Sequence, residues 1–435
     1  MTDTADAIVI GTGVIGAATA FELAKLSWRT LSLDRNAAPG NGSTSASCAI
    51  IRMHYSTLDG TAFAWEGYHY WRDWADYLEV ADPAGLATFR ETGCLVIKTQ
   101  ANGHLEKHMR YSRDLACPCE EWSAETIAER LPLYSLDSYA PARRPDDAAF
   151  GQPNGARLVG GVFWPNAGYV TDPALSAQNL AAAAAAKGAR FRHGAEVAAI
   201  LTHAGRVSGV RLSTGEALYA PVVVNVAGPG SAQINALAEV TGDMTIATRP
   251  LRQEVVHLPV PEGFDMDRDG MVVSDSDIAC YSRPEQGNSI LVGSEDPPCD
   301  AHDWAPDDRD WSTDFTEQWR VQAMRYGQRV PSLGIPSRMR GVVHLYDAAT
   351  DWIPIYDKSM LPGFYMACGT SGNQYKNAPI AGKLMAALIA HCEAGHDHDA
   401  EPMRLRLPYL GREIDTGFYS RKRPINAESS FSVLG

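Results

Sequence analysis

Residues 6–16 read Asp6-Ala7-Ile8-Val9-Ile10-Gly11-Thr12-Gly13-Val14-Ile15-Gly16, a short apolar run that passes straight into a glycine turn. The spacing Gly-x-Gly-x-x-Gly between a strand and a helix gives each glycine a task. Gly11 permits the tight turn, Gly13 lets a pyrophosphate approach the backbone, and Gly16 lets the helix pack closely on the strand. Val14 and Ile15 open that helix, whose N-terminal N–H groups and positive dipole end suit phosphate oxygens. A second apolar run, Thr30-Leu31-Ser32-Leu33, ends at Asp34, eighteen residues past Gly16. Asp34 offers a carboxylate to ribose hydroxyls, and Arg35 adjoins it. Strand, turn, alanine-rich helix (about 14–26), strand and terminal acid together predict a dinucleotide site.

After Asp34 a nicotinamide-type domain should soon continue with another helix and strand. This chain instead gives Asn36-Ala-Ala-Pro-Gly-Asn-Gly-Ser43-Thr44-Ser45-Ala-Ser-Cys48-Ala49-Ile50-Ile51-Arg52. Small hydroxyl residues between glycines favour a loop whose hydroxyl and N–H groups serve as phosphate ligands. A cofactor extended over such a loop is FAD rather than NAD. Further on, Gly168-Tyr-Val-Thr-Asp-Pro173 leads into a long alanine-rich helix, and residues 189–200 read as a strand and turn carrying Val197. Pro221-Val-Val-Val-Asn-Val-Ala227-Gly228 reads as a buried parallel strand ending in a glycine turn. The cofactor fold is therefore expected to be interrupted and resumed.

These segments, with Arg249-Pro-Leu-Arg-Gln-Glu254, Tyr281-Ser-Arg-Pro-Glu285 and Gly369-Thr-Ser-Gly372-Asn373-Gln374-Tyr375-Lys376-Asn-Ala-Pro379, resemble the D-amino-acid oxidase (DAO) superfamily of FAD-dependent oxidoreductases. The resemblance is to the branch of sarcosine oxidases, dimethylglycine dehydrogenase and glycine oxidase, and it runs through nearly the whole chain. It implies an α/β fold: a Rossmann-like FAD-binding domain interleaved with an α+β substrate domain built on an antiparallel sheet. The expected boundaries are 1–90, 150–248 and 340–400 for the cofactor domain, 91–149 and 249–339 for the substrate domain, and 401–435 for a C-terminal extension. Alternation at Cys94–Lys98 and Ser289–Gly293 agrees with strands in the substrate domain.

The resemblance implies oxidation of a C–N bond in an amino acid or N-alkyl amino acid, by hydride transfer to flavin N5 and hydrolysis of the imine product. Oxidation of a D-amino acid, glycine or a 2-hydroxy acid, or a flavin-bearing subunit of an electron-transfer complex, are the alternatives. Arg52 and Lys376 stand where such enzymes keep the cations that grip the substrate carboxylate. Tyr281 falls on the strand covering the flavin face, and His54 and Tyr55 are candidates for the pocket wall. Gly372, Asn373, Gln374 and Tyr375 fall along the flavin N1–C2=O edge, where Pro379 opens a helix whose positive end favours reduced flavin. The family more often has glycine at the Gln374 position. His344 matches the position of a cysteine that bonds covalently to flavin in monomeric sarcosine oxidase; non-covalent FAD is expected, with a histidyl link the alternative. Leu291 replaces a lysine that activates oxygen, so either oxygen or an electron-transfer protein is a candidate acceptor. Glu295, just after Gly293, is expected to be an exposed loop acid, with attraction of a cationic amine the alternative.

Composition narrows the partners. With a net charge of −14, and neither a basic run nor a long apolar stretch, the chain of 435 residues is expected to bind neither nucleic acid nor membrane. The eight cysteines form no CxxC pair or zinc pattern, so reduced thiols in a cytoplasmic protein are expected, with no resident metal. His391, His396 and His398 read as a solvated helix exit, with a metal site the alternative. The first strand leaves no room for a signal peptide before it.

Overall fold

The computed structural model describes residues 5–435. Its first sheet runs in the order Ile355–Lys358, Phe364–Cys368, Val222–Asn225, Ala7–Ile10, Thr30–Leu33, Arg190–Arg192. All neighbours are parallel except the Ile355–Lys358 edge strand. The opening strand lies inside this sheet and is buried along its length, which is why it reads as a continuous apolar run. Its side chains alternate between two cores. Ala7 and Val9 face the helices Val14–Lys25, Pro173–Ala186 and Ala378–Glu393, while Ile8 and Ile10 face a small antiparallel sheet of residues 197–219. The helices approach closely because their contact residues are small: a Cβ on Gly382 would lie 2.7 Å from the Ala18 backbone.

The second sheet has nine strands and is antiparallel except where Val272–Asp275 meets Cys94–Ile97. One face packs on the helix Glu317–Arg329 through Trp319, Ala323 and Tyr326. The two sheets with their covering helices form the expected α/β architecture.

Two strands cross the expected domain boundaries. Gly160–Trp164 pairs with Cys94–Ile97, and Gly341–Ala349 pairs with Thr248–Pro259 from Thr248↔Ala349 to Val256↔Gly341. Both were assigned to the cofactor side, yet their hydrogen bonds place them in the second sheet. Long-range pairing decides membership, and a break in chain composition does not report it.

The extension beyond residue 400 is part of the main body. Leu405, Leu407 and Ile414 of a hairpin join the helix-side core. Arg421 is fully buried among Asp243, Asp357 and Asp399. Arg423 pairs through two nitrogens with Asp351 at 3.0 and 2.7 Å. His398 packs against Asp357 and is buried, not solvated. Among the described residues, no helix is long and apolar enough to cross a membrane.

Candidate active site

An open cleft of about 1350 Å³, the solvent space at its mouth included, runs between the two sheets, from the glycine turn to the helix that follows Lys376. At the turn, Gly11 has φ +106°, and a Cβ there would fall 2.2 Å from the Val226 carbonyl oxygen. A Cβ on Gly16 would lie 2.1 Å from the Gly11 oxygen. These two positions exclude side chains by backbone contact. Gly13 differs: its nearest neighbour would be Thr44 Oγ1 at 3.1 Å, so its missing Cβ keeps the cleft open. Thr44 Oγ1 also accepts from the Val14 N–H at 3.0 Å, fastening the hydroxyl loop to the helix start. Asp34 accepts from the Thr12 N–H at 2.7 Å and the Thr12 hydroxyl at 2.9 Å, which ties the end of the second strand to the turn.

The hydroxyl loop supplies one wall: Ser43, Thr44, Ser47, Cys48, Ala49 and Ile50 all line the cleft. Ser45 instead turns back to the Gly42 carbonyl. Gly372, Asn373, Gln374, Tyr375, Lys376 and Gly228 line it from the first sheet. Asp34, Arg35, Val197, Ala227 and Gly11 do not line it. Arg35 is drawn 2.8 Å from Asp308, and Val197 is a core residue of the small sheet. Gln374 has φ −108°, so glutamine sits there without backbone strain; its Oε1 accepts from Tyr356 and Asn377. The donors at a helix N-terminus, the glycine whose Cβ would intrude, and the length of the cleft fit an extended dinucleotide such as FAD.

His344 lines the cleft with Nδ1 engaged: it accepts from the Leu345 N–H at 2.9 Å and lies 3.0 Å from Ser43 Oγ. That leaves Nε2 to carry the proton of a neutral ring, and burial lowers its pKa. Tyr281 is buried and lies flat over Gly293, its cross-strand partner, where a Cβ would sit 2.1 Å from the ring. Its hydroxyl is 3.5 Å from Cys48 Sγ.

Arg52 and Lys376 converge on the Tyr55 ring, at 4.7 and 5.2 Å from its centre. Arg52 follows the buried Ile50–Ile51 strand, and Lys376 sits in the single turn before the helix Ala378–Glu393. The Lys376 ammonium donates to the Asn373 carbonyl at 2.7 Å and to Tyr55 Oη at 3.1 Å. Burial and the neighbouring Arg52 charge hold its pKa well below the ordinary lysine value. The Arg52 guanidinium donates to the carbonyls of His54, Val433 (3.0 Å) and Leu434 (2.6 Å). Among the described residues, no carboxylate lies within ion-pair distance of either cation. Both are nevertheless buried and both line the cleft.

Several expectations need correction. Tyr55 and His54 lie behind the wall: Tyr55 donates to the Asn373 carbonyl at 2.6 Å, and His54 packs 4.6 Å from Trp164. Burial and the Arg52 charge push the His54 pKa well down, so its ring is neutral. Glu295 is buried, not exposed. Ser274 and Ser276 donate to its two oxygens at 2.6 and 2.7 Å, and burial pushes its pKa up to about 7. The tail also reaches the site, since Val433 and Leu434 line the cleft.

Sequence reasoning missed Gln253, Ser274, Tyr346, Asp347 and Thr370 in the cleft wall. Asp347 is wholly buried, accepts from the Gly369 N–H at 2.6 Å, and burial lifts its pKa to about 7. No local pattern marks these residues; alternation along the second sheet's strands was the one usable signal.

Comparison with known proteins agrees with this architecture. The structure superimposes on L-proline dehydrogenase from P. horikoshii with a TM-score of 0.76, at 19% identity over 97% of this chain and 98% of that one. The sarcosine oxidase subunit beta of Rhizobium meliloti is 23% identical over 88% of this chain and 84% of its own length. The bifunctional protein ThiO/ThiG of a Nostoc strain is 25% identical over 89% of this chain, which spans about half (53%) of that protein. The sequence profile described as "FAD dependent oxidoreductase" (DAO) matches residues 6–388. With a profile match over most of its length and the glycine cradle in place, the chain belongs to the DAO family of FAD-dependent oxidoreductases.

Proposed function

We propose that this oxidoreductase oxidises a C–N bond of an amino acid, with N-alkyl and other secondary amino acids as the preferred class. The observation that carries the reading is the pair of buried cations, Arg52 and Lys376, at the substrate end of the cleft without a carboxylate partner. Two desolvated like charges cost stability unless an anion joins them. A substrate carboxylate completes that pair, and Lys376 regains its proton affinity as it binds. The names of the sarcosine oxidase and L-proline dehydrogenase relatives, both acting on secondary amino acids, support the class.

Bound FAD supplies the hydride acceptor. The carbonyls of His54, Val433 and Leu434 hold the Arg52 guanidinium in place without neutralising it, so it meets the carboxylate preorganised. The substrate is thereby fixed at one end, with its C–H bond directed across the cleft. Tyr281, Tyr346 and Cys48 enclose the substrate end with apolar surface and limit water. The imine product leaves the cleft and hydrolyses.

The engaged Nδ1 of His344 supports non-covalent attachment of FAD. Acid precipitation tests this: all yellow colour is expected in the supernatant, and colour in the pellet overturns it. Leu291, apolar and buried, leaves the choice of electron acceptor to stopped-flow mixing of reduced protein with oxygen. Anaerobic bleaching of the flavin by a panel of amines, amino acids, N-methyl amino acids and 2-hydroxy acids tests the substrate class. Bleaching by secondary amino acids is expected, and bleaching confined to hydroxy acids or to amines without a carboxylate overturns the reading.

A further inference from the structure

An amino acid arrives at neutral pH as an ammonium, and an ammonium cannot release a hydride from its neighbouring carbon. It must first lose a proton to regain its nitrogen lone pair. Arg52 stays cationic and cannot take that proton, and Lys376, turned to the Asn373 carbonyl and Tyr55 Oη, faces the substrate carboxylate in the reading above rather than the amine. The remaining polar groups of the second sheet include an acceptor arrangement that the proposed function leaves unused.

Ser274 stands at the inner end of the Val272–Asp275 strand and lines the cleft. Its hydroxyl donates to Glu295 Oε1 at 2.6 Å, which leaves the Ser274 oxygen free to accept from an N–H in the cleft. Glu295 sits just past the Ser289–Ser294 strand and is 6% exposed. Its other oxygen accepts from Ser276 at 2.7 Å, and Ser276 is only half-buried. Ser274, Glu295 and Ser276 thus form a hydrogen-bonded line from the cleft toward the outside of the sheet.

We propose that Ser274 accepts the proton lost by the substrate ammonium while passing its own hydroxyl proton to Glu295. This rests on the amino-acid reading above. The substrate N–H bond breaks and a new Ser274 O–H forms, as the old Ser274 O–H bond breaks and a Glu295 O–H forms. Charge is conserved: the ammonium becomes a neutral amine and the carboxylate a neutral acid. The neutral amine then holds the lone pair that a C=N bond requires, and FAD, when bound, would accept the hydride. Ser274 is the catalytic residue; Glu295, acting through it, is a positioning residue that receives the proton on Oε1, while Ser276 holds its other oxygen.

The electrostatic setting suits this task. Burial raises the Glu295 pKa to about 7, which places the acceptor near neutrality, where general bases work best. Nearby charges act in opposite directions: Asp275 favours the protonated form and Arg52 the ionised form. Asp275 is itself held by Arg329 at 2.7 Å. The thiols of Cys94 and Cys280, which also feel Glu295, are raised by burial and stay protonated.

The test is the pH dependence of anaerobic flavin reduction, from about pH 5 to about pH 10, by the amino acid that bleaches the wild-type protein most effectively. Wild-type kcat/KM is expected to rise through about pH 7. Glu295→Gln and Ser274→Ala are expected to lose that limb and fall by roughly 10²-fold at neutral pH. Their rates then follow the substrate amine's own ionisation and converge on wild type near about pH 10. Glu295→Asp restores part of the limb. FAD content and thermal unfolding check that each variant folds. Infrared difference spectra give a reading independent of turnover: a carboxylic-acid band that titrates near neutrality should vanish in Glu295→Gln. Retention of both the limb and the neutral-pH rate in Glu295→Gln overturns the relay alone. Failure of every amino acid to bleach the wild-type flavin overturns the amino-acid reading, and the relay falls with it.

Discussion

The two ends of the cleft are built on different principles. The cofactor end is made from a continuous piece of chain: residues 7–16 form strand, turn and helix start, and Asp34 is tied back to Thr12. Its geometry is set by what the backbone excludes. The end proposed for the substrate draws Arg52, Ser274, Tyr281, Lys376 and Val433 from separate stretches of chain, and its character comes from buried charge. The glycine turn is therefore the part most constrained by backbone contact, and the end proposed for the substrate is the part most governed by buried charge.

Gly11→Ala is the harshest trial of that contrast. Its Cβ would collide with the Val226 carbonyl at 2.2 Å in a left-handed conformation. Overpacking and backbone strain together cost about 2–5 kcal/mol, and the expected product is a colourless, poorly stable protein by absorption and thermal unfolding. Arg52→Ala comes next. We expect kcat/KM to fall by about 10²–10³-fold, mostly through KM, with FAD content normal, as for removal of one partner of a buried ion pair. An unchanged KM removes Arg52 from the carboxylate grip.

Gly13→Ala sharpens the comparison within the cradle. Its Cβ meets only the Thr44 hydroxyl, which can shift, so apoprotein stability should change by less than about 1 kcal/mol. FAD affinity, measured by fluorescence titration, is expected to weaken by about tenfold. Equal loss of stability in the Gly11 and Gly13 variants would erase the distinction between them.

The mildest effect is a pH dependence. The Glu295 carboxyl titrates at about 7 in the folded chain, above its ordinary value of 4.5. Between those values the folded state keeps a proton that the unfolded state releases, so this group's contribution to stability falls as pH rises through the window. Glutamine does not titrate. The stability of Glu295→Gln relative to wild type should thus improve by on the order of 1–3 kcal/mol from about pH 5 to about pH 7, then level off. A flat difference across that range removes the perturbed carboxyl.

Sequence reading followed the same division. The turn at Gly11 and Gly16 and the strand end at Asp34 are legible because their constraints are local, while Asp34 itself is turned to Thr12 and does not line the cleft. Arg52 and Lys376 emerged from resemblance, since nothing nearby distinguishes a buried cation from a solvated one. Glu295 was misjudged because its burial depends on strands that pair across the second sheet. The Gly341–Ala349 strand, which the expected boundaries put on the cofactor side, pairs with Thr248–Pro259 of the second sheet for the same reason. Arg35 was expected at the cofactor and pairs with Asp308, a partner 273 residues away.

The docking of the tail bears on how the molecule comes into being. Gly13 and Leu434 line one cleft, so its walls come from segments far apart in the chain. Until Val433 and Leu434 dock, the Arg52 guanidinium lacks two of its carbonyl partners. A chain whose first sheet has already formed would still hold Arg52 incompletely until residues 433–434 dock.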